Sequence, residues 1–113
     1  MTDAQMWGIM QILNTYDRDN QLLKAIEELQ ELIDEIRKER TAETLDNYEY
    51  DVKNSIMTEI ADVIIMCEQL RVMHSITVEE LDKEINYKIN RQLDRIKNDE
   101  DELKQIVMRY FGK

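Results

Sequence analysis

With no proline and only two glycines in 113 residues, the chain has too few turn-forming residues for a sheet protein of its size, and its composition predicts a single all-α domain over residues 1–113. Its net charge of −10 disfavours binding to nucleic acid or to an anionic membrane surface, but does not exclude a small anionic ligand carried with a metal ion. The one cysteine, Cys67, excludes an intrachain disulfide and lies in an apolar run, where we expect it to be buried. No apolar stretch reaches transmembrane length and no signal peptide is evident, so we expect a soluble cytoplasmic protein.

The first two predicted helices follow recognisable start signals. Thr2 and Gln5 fit a capping box that opens a first helix to about residue 14. Three polar residues then offer caps for a second helix over about residues 21–40: Asp17, Asp19 and Asn20.

The second half of the chain predicts three more helical segments. Residues 41–51 are polar without a clear period, and we interpret them as a connection to a third helix over residues 52–73. Thr77 and Glu80 form a second capping box, which starts a fourth helix to about residue 97. The amphipathic segment 102–111 predicts a short fifth helix. Together these elements predict an antiparallel helical bundle of four main helices plus a short C-terminal helix.

The second predicted helix carries apolar residues on one face and acids on another. The apolar stripe consists of Leu22, Ile26, Leu29, Ile33 and Ile36. The acids are Glu28, Glu31 and Glu35, with Glu27 beside them. Like charges three and four residues apart repel each other on a helix. This face is therefore either solvated or in contact with something positive.

The third predicted helix is apolar nearly all round, which is typical of a central, buried helix. Glu59 and Asp62 are its only charged residues between Ser55 and Cys67, and their spacing of three places them on the same side. Burying two carboxylates without partners costs several kcal/mol or more. Basic partners from another helix, protonation or a bound cation would relieve that cost.

Basic partners are scarce near the start of the second helix, where Lys24 is the main one. That helix instead presents Glu28 and Glu31 at the same spacing of three, so antiparallel packing of the two helices would bring four carboxylates together. Oxygen ligands without cysteine or histidine are typical of a site for a hard divalent ion, Mg²⁺ above all, with Mn²⁺ as a substitute. The chain's one histidine, His74, is predicted at the surface or at a helix end, without a role in the site.

These residues also resemble a known family. Glu27-Glu28-Leu29-Gln30-Glu31, a spacer of about 27 residues, and then Glu59-Ile60-Ala61-Asp62 are similar to the E-E-x-x-E … E-x-x-D signature of the MazG-like all-α nucleoside triphosphate pyrophosphohydrolases. The superfamily includes dimeric dUTPases, dCTPases and phosphoribosyl-ATP pyrophosphohydrolases. The resemblance covers about residues 22–95. Many relatives have glycine at the position of Gln30, and a histidine or aromatic element before the second helix, where this chain reads "NTYDRDN".

The resemblance implies a metal site and a reaction. Glu28, Glu31, Glu59 and Asp62 would be the Mg²⁺ ligands, and Glu27 would orient or deprotonate the attacking water. The reaction would split the α–β phosphoanhydride bond of a nucleoside triphosphate, and release the monophosphate and pyrophosphate.

Other residues are candidates for binding the rest of the nucleotide. The family often carries a basic or amide cluster after the second acidic motif, and here the candidates for phosphate binding are Lys88, Asn90, Arg91 and Arg95. A solvated basic face on an acidic protein is an equally good interpretation of Arg95. Trp7 and Tyr16 are candidates for stacking on a base, although a tryptophan in an amphipathic first helix more often belongs to the core.

Two further expectations concern association and alternatives. A modest core and apolar stripes on several helices predict self-association, and the resemblance implies a homodimer or homotetramer. The nearest alternative function is another hydrolase of the superfamily that acts on phosphoribosyl-ATP or a nucleoside diphosphate. A non-catalytic acidic helical bundle that binds a partner is the alternative from a different class, but it leaves the two acids of the apolar helix unexplained.

Overall fold

The structure is a computed structural model that describes residues 1–41 and 48–112. Within these ranges the chain forms four helices and no strand, which confirms the all-α prediction: α1 (Asp3–Thr15), α2 (Arg18–Thr41), α3 (Tyr48–Met73) and α4 (Val78–Phe111). The chain divides into two compact units, Met1–Ser75 with α1 to α3 and Ile76–Lys113 with α4. The single domain and the antiparallel four-helix bundle stay predictions. Among the described helices none has a segment that is long and apolar enough to cross a membrane.

Both predicted capping boxes are confirmed. At the start of α1, the Gln5 amide donates to Thr2 Oγ1 at 3.1 Å while the Thr2 amide donates to Gln5 Oε1 at 2.8 Å. At the start of α4, the Glu80 amide donates to Thr77 Oγ1 at 3.0 Å and the Thr77 amide donates to Glu80 Oε1 at 3.2 Å. Each box satisfies two backbone amides that have no partner within the helix and so fixes where the helix begins.

The helices α2 and α3 begin earlier than predicted. Of the three candidate caps it is Asp17 that caps α2, because its Oδ1 accepts from the Asn20 amide at 2.7 Å. The last part of the predicted connection, from Tyr48 onward, belongs to α3, since no glycine or proline interrupts the helix there. Residues 42–47 of that connection lie outside the described residues.

The predicted fourth and fifth helices are one continuous helix, so the prediction of a separate C-terminal helix was wrong. The 34 residues of α4 include Asp99, Glu100 and Asp101, which interrupt the apolar pattern. Acidic residues in a row change the surface of a helix but have no effect like that of proline or glycine on its backbone. The helix therefore continues to Phe111, and the Gly112 amide closes it by donating to the Met108 carbonyl at 3.0 Å.

The core of the first unit is small. Its buried apolar residues are Ile9 from α1, Ala25 from α2 and Met66 from α3. Three polar residues are buried with them: Gln21, Glu28 and Gln69. The helices α2 and α3 are antiparallel, because Gln21 near the start of α2 shares a cavity with Gln69 near the end of α3, while the later Glu31 lies beside the earlier Glu59.

Two predictions about burial, that of a buried third helix and that of a buried Cys67, were wrong for the single chain. The predicted apolar stripe of α2 faces outward, with Ile26 64% exposed, and its polar residues Gln21 and Glu28 face α3 instead. The predicted central helix, α3, has only Met66 and Gln69 buried among its described residues, and Cys67 is exposed. An apolar composition on all sides of a helix does not bury it unless neighbours cover every side, and the two contacting helices of this unit do not.

Candidate functional site

Four carboxylates from α2 and α3 form a compact group, which we call the carboxylate cluster. Each of its members offers one oxygen that lies within 4.8 Å of the others: Glu28, Glu31, Glu59 and Asp62. The spacing of three within each pair places both carboxylates on one side of their helix, and the antiparallel packing of α2 on α3 makes the two sides face each other. These are the four residues that the sequence predicted as metal ligands.

Among the residues that the structure describes, the cluster has too few partners for its charge. Glu28 is 7% exposed, and its Oε2 is buried without a hydrogen-bond partner, as is Oε2 of Glu59. The basic group that reaches the cluster is Lys24, whose Nζ lies 3.0 Å from Glu28 Oε1 and 3.6 Å from Glu27 Oε2. One ammonium against four carboxylates leaves excess negative charge, and buried unpaired acceptors are costly.

Burial and the excess of negative charge shift the pKa values of two members of the cluster and of Lys24. Burial, and then the charges of Glu28 and Glu59, raise the pKa of Glu31 above its ordinary value. Burial, and then the charge of Glu28, raise the pKa of Asp62, although Lys24 opposes this shift. A hydrogen bond to Glu28 is the largest cause of a raised pKa at Lys24. The raised pKa values of Glu31 and Asp62 mean that both carboxyls are protonated more readily in the folded chain than in water.

The cluster fits a single hard cation. Opposite oxygen ligands of an octahedral Mg²⁺ are about 4.2 Å apart, twice a metal–oxygen distance of about 2.1 Å. The carboxylate oxygens, at no more than 4.8 Å from one another, already lie close to that spacing. A bound divalent ion would also give the unpartnered oxygens of Glu28 and Glu59 the partner that they lack.

A cavity of about 590 Å³ adjoins the cluster and shares Glu28 and Asp62 with it. Its apolar lining comes from Ile12, Ile65 and Met66. Its other lining residues carry amide, phenol or ammonium groups: Tyr16, Asn20, Gln21, Lys24 and Gln69. The cavity therefore combines a flat aromatic ring and several hydrogen-bonding groups with the carboxylates, and its volume is that of a small-molecule site.

The structure brings some of the other predicted site residues to this place but not all of them. Tyr16 lines the cavity, whereas Trp7, 67% exposed on α1, is not among the lining residues. Glu27 lies beside the cluster on α2, where it is exposed and paired with Lys24. His74 is exposed just after α3, as predicted.

The predicted phosphate-binding residues all lie on α4. Asn90, Arg91 and Arg95 line a shallow hollow of that helix together with Tyr87, Asp94 and Asn98. Lys88 is also exposed, with its Nζ 4.0 Å from Glu84 Oε1. Their assignment to phosphate binding stays a prediction.

Sequence reasoning missed the buried amides. Gln69 is 1% exposed, its Nε2 donates to Met66 Sδ at 3.6 Å, and its Oε1 has no partner. Gln21 is buried on the facing side of α2. A signal was present, because Gln21, Glu28, Asp62 and Gln69 recur at intervals of seven residues within their helices and so continue the line of the carboxylates.

Comparison with known proteins adds no family to this description. A scan against family models found no match, and searches of curated proteins and of solved structures found none either. The site therefore has to be interpreted from its own residues.

The raised pKa values lead to a prediction about stability. A carboxyl whose pKa is raised by folding contributes stability at low pH and loses it as the pH climbs through the folded value. For Glu31 and Asp62 this loss begins above ordinary pKa values of 4.5 and 3.8. Mg²⁺ that binds only the folded state adds about 2.7 kcal/mol at about 100 times its Kd. We therefore expect Mg²⁺ to raise the melting temperature more at pH 8 than at pH 5.

The variant Asp62→Asn extends this prediction. It removes one repelling charge, so it should melt higher than wild type in EDTA and lose most of the response to Mg²⁺. Asp34→Asn, on the exposed surface of α2, is the matched control and should keep the wild-type response. Thermal melts of the three proteins at both pH values test this. If Mg²⁺ leaves the wild-type melting temperature unchanged, internal partners such as Lys24 are sufficient to stabilise the carboxylates.

Proposed function

We propose that this protein is a Mg²⁺-dependent pyrophosphohydrolase, which hydrolyses a (deoxy)nucleoside triphosphate between the α and β phosphates to the monophosphate and pyrophosphate. The observation that carries the proposal is the carboxylate cluster with its unpartnered oxygens on Glu28 and Glu59, next to a cavity of about 590 Å³. The resemblance of the two acidic motifs to those of MazG-like enzymes supports the same reaction.

Electrostatics narrows the class of substrate. A chain with a net charge of −10 repels a free polyphosphate, and a group of four carboxylates repels it more strongly. An anionic substrate is compatible with this site only if cations accompany it, as they do in the complex of a nucleoside triphosphate with Mg²⁺. The bound ion would neutralise phosphate charge and stabilise the charge that develops in the transition state.

The cavity accounts for the nucleoside part of the substrate. Tyr16 offers a ring on which a base can stack, and the amides of Asn20 and Gln21 offer donors and acceptors for a base or sugar. A nucleoside there would have its phosphates towards Glu28 and Asp62, which line the same cavity. The assignment of the basic residues of α4 to phosphate binding stays a prediction from the sequence.

Glu27 is the candidate base. It lies next to the predicted ligand Glu28 in the chain but outside the cluster, and Lys24 pairs with both side chains. In the proposed reaction Glu27 accepts a proton from water as the water oxygen forms a bond to the α phosphorus. The bond from that phosphorus to the bridging oxygen breaks, and pyrophosphate leaves with the electron pair. Lys24 would hold Glu27 close to the ligands while leaving its second oxygen free to accept the proton.

The first test of this proposal is a panel of ribo- and deoxynucleotides with Mg²⁺, with Mn²⁺ and with EDTA. Pyrophosphate and the monophosphate should form in equal amounts, with oxygen from labelled water appearing in the monophosphate. Glu59→Gln and Asp62→Asn should each abolish the reaction and keep the helical circular dichroism spectrum, because each removes a charged metal ligand. Asp34→Asn should retain full activity. Near-normal turnover in both cluster variants would refute the site.

A second test separates Glu27 from the ligands. Glu27→Gln should lower kcat by roughly 10²- to 10⁴-fold, the usual contribution of a general base, while nucleotide and Mg²⁺ still bind. Titration calorimetry with the variant measures that binding directly. If binding is lost while kcat is kept, Glu27 is a ligand and not the base.

A third test distinguishes the two aromatic residues that are candidates for stacking on the nucleobase. Stacking of a nucleobase on an aromatic ring is worth about 1–3 kcal/mol, so Tyr16→Ala should raise KM by roughly 5- to 150-fold with kcat changed less. Trp7→Ala is the comparison, since Trp7 does not line the cavity of its own chain. An effect of Trp7→Ala alone would assign the stacking role to Trp7.

A further inference from the structure

One face of α4 carries a row of apolar side chains, which we call the α4 stripe. Its members recur at the helical period of 3.6: Val78, Leu81, Ile85, Ile89, Leu93, Ile96, Leu103, Val107 and Tyr110. Each is between 37% and 73% exposed, and α4 has no buried residue. The row has one gap, where Asp99 and Glu100 take the place of an apolar residue.

An apolar face of this length is expected to pack against another protein surface. A helix of 34 residues is about 51 Å long at a rise of 1.5 Å per residue. Most helical stability in proteins comes from packing of an amphipathic face and not from helix propensity. Contiguous exposed apolar patches on soluble proteins mark interaction sites.

The charges of α4 indicate which partner fits. They fall into four blocks along the helix, with a net charge of −3 over residues 79–84, +3 over 88–97, −4 over 99–102 and +2 over 104–109. Reversing the direction of a second copy of this helix turns the order −, +, −, + into +, −, +, −. Two antiparallel helices in full overlap therefore oppose every acidic block with a basic one. Two parallel helices in register would oppose each block with itself.

We propose that the α4 stripe binds the α4 stripe of a second copy of this chain, with the two helices antiparallel and nearly fully overlapped. Such an interface is isologous, as in most homodimers, because the same surface contributes from both chains. This contact would account for the expected self-association, and it is independent of the proposed hydrolase activity.

The size of the contact is sufficient for a specific pair. A seam about 51 Å long and about 10 Å wide, the separation of packed helices, covers roughly 500 Å² of each helix. The total of roughly 1,000 Å² reaches the lower limit expected of a specific interface. The charges beside the stripe then select the orientation, because like charges in contact are penalised.

The first experiment measures the mass of the full chain by light scattering and sedimentation at micromolar concentration. Wild type should have at least twice the mass of a monomer. Ile96→Asp places a charge near the centre of the stripe and should weaken association by roughly 30-fold or more, as expected for a central interface residue. Asn98→Asp adds the same charge on the opposite face and should leave the mass unchanged. A monomeric wild type, or equal masses for both variants, would overturn the proposal.

A charge exchange tests the pairing of the blocks. Each of two double variants should weaken association, because it places like charges opposite each other at the ends of the helix pair. The first is Asp82→Lys with Glu84→Lys, and the second is Lys104→Glu with Arg109→Glu. The four changes together should restore association. If the combined variant associates more weakly than both double variants, the charged blocks at the two ends do not face each other. These positions lie outside the predicted metal, base and phosphate contacts.

Cross-linking tests the orientation directly. In a chain that carries Cys67→Ser, a short bismaleimide should not link Val78→Cys to itself or Tyr110→Cys to itself. The chain with both cysteines should form covalent dimers, because antiparallel helices bring residue 78 of one copy near residue 110 of the other. Within one helix these positions are about 48 Å apart. Cross-linking of each single variant to itself would indicate a parallel pair and refute the antiparallel one.

Discussion

Mutual repulsion among Glu28, Glu31, Glu59 and Asp62 is the constraint on which the first unit depends. The contact between α2 and α3 is the largest in this unit, and it brings these four carboxylates together. Lys24 offsets part of the charge from one end, at 3.0 Å from Glu28. The repulsion that remains opposes folding, and burial together with that repulsion raises the pKa of Glu31 and of Asp62. The same imbalance is what would give a divalent cation its affinity, so stability and binding are opposite consequences of one arrangement.

The position of the acids on α2 also decides where its apolar residues lie. Gln21, Ala25 and Glu28 form the buried face of this helix. The face with Ile26, Leu29 and Ile33 is consequently turned outward. Burying polar groups there removes the apolar contact that would otherwise hold α2 to α3. The first unit therefore has a small core and much exposed apolar surface, because the carboxylate cluster lies between α2 and α3.

The parts of the molecule that could be predicted from sequence are those set by local rules. The capping boxes at Thr2 and Thr77 are fixed by two hydrogen bonds between near neighbours, so the start of α1 and the start of α4 were predictable. The convergence of Glu59 and Asp62 with the acids of α2 was predictable from two spacings of three and one packing direction. The outward orientation of Ile26 and the exposure of Cys67 were not, because burial depends on which neighbours exist and not on the composition of one helix. The continuity of α4 was missed because polar residues 98–101 interrupt its apolar pattern, although only proline or glycine would have been a strong signal of a helix end.

Metal binding and self-association would both stabilise a folded state that has a small apolar core. Only Ile9, Ala25 and Met66 are buried apolar residues in the described chain, so the folded state gains little from its own core. Anything that binds the folded state and not the unfolded chain stabilises it by mass action. A cation between α2 and α3 would hold the first unit together, and a second copy against α4 would cover the longest apolar face of the chain. Because these two contacts lie on different helices, each can stabilise the protein without the other, and their effects on unfolding should add as those of separate sites do.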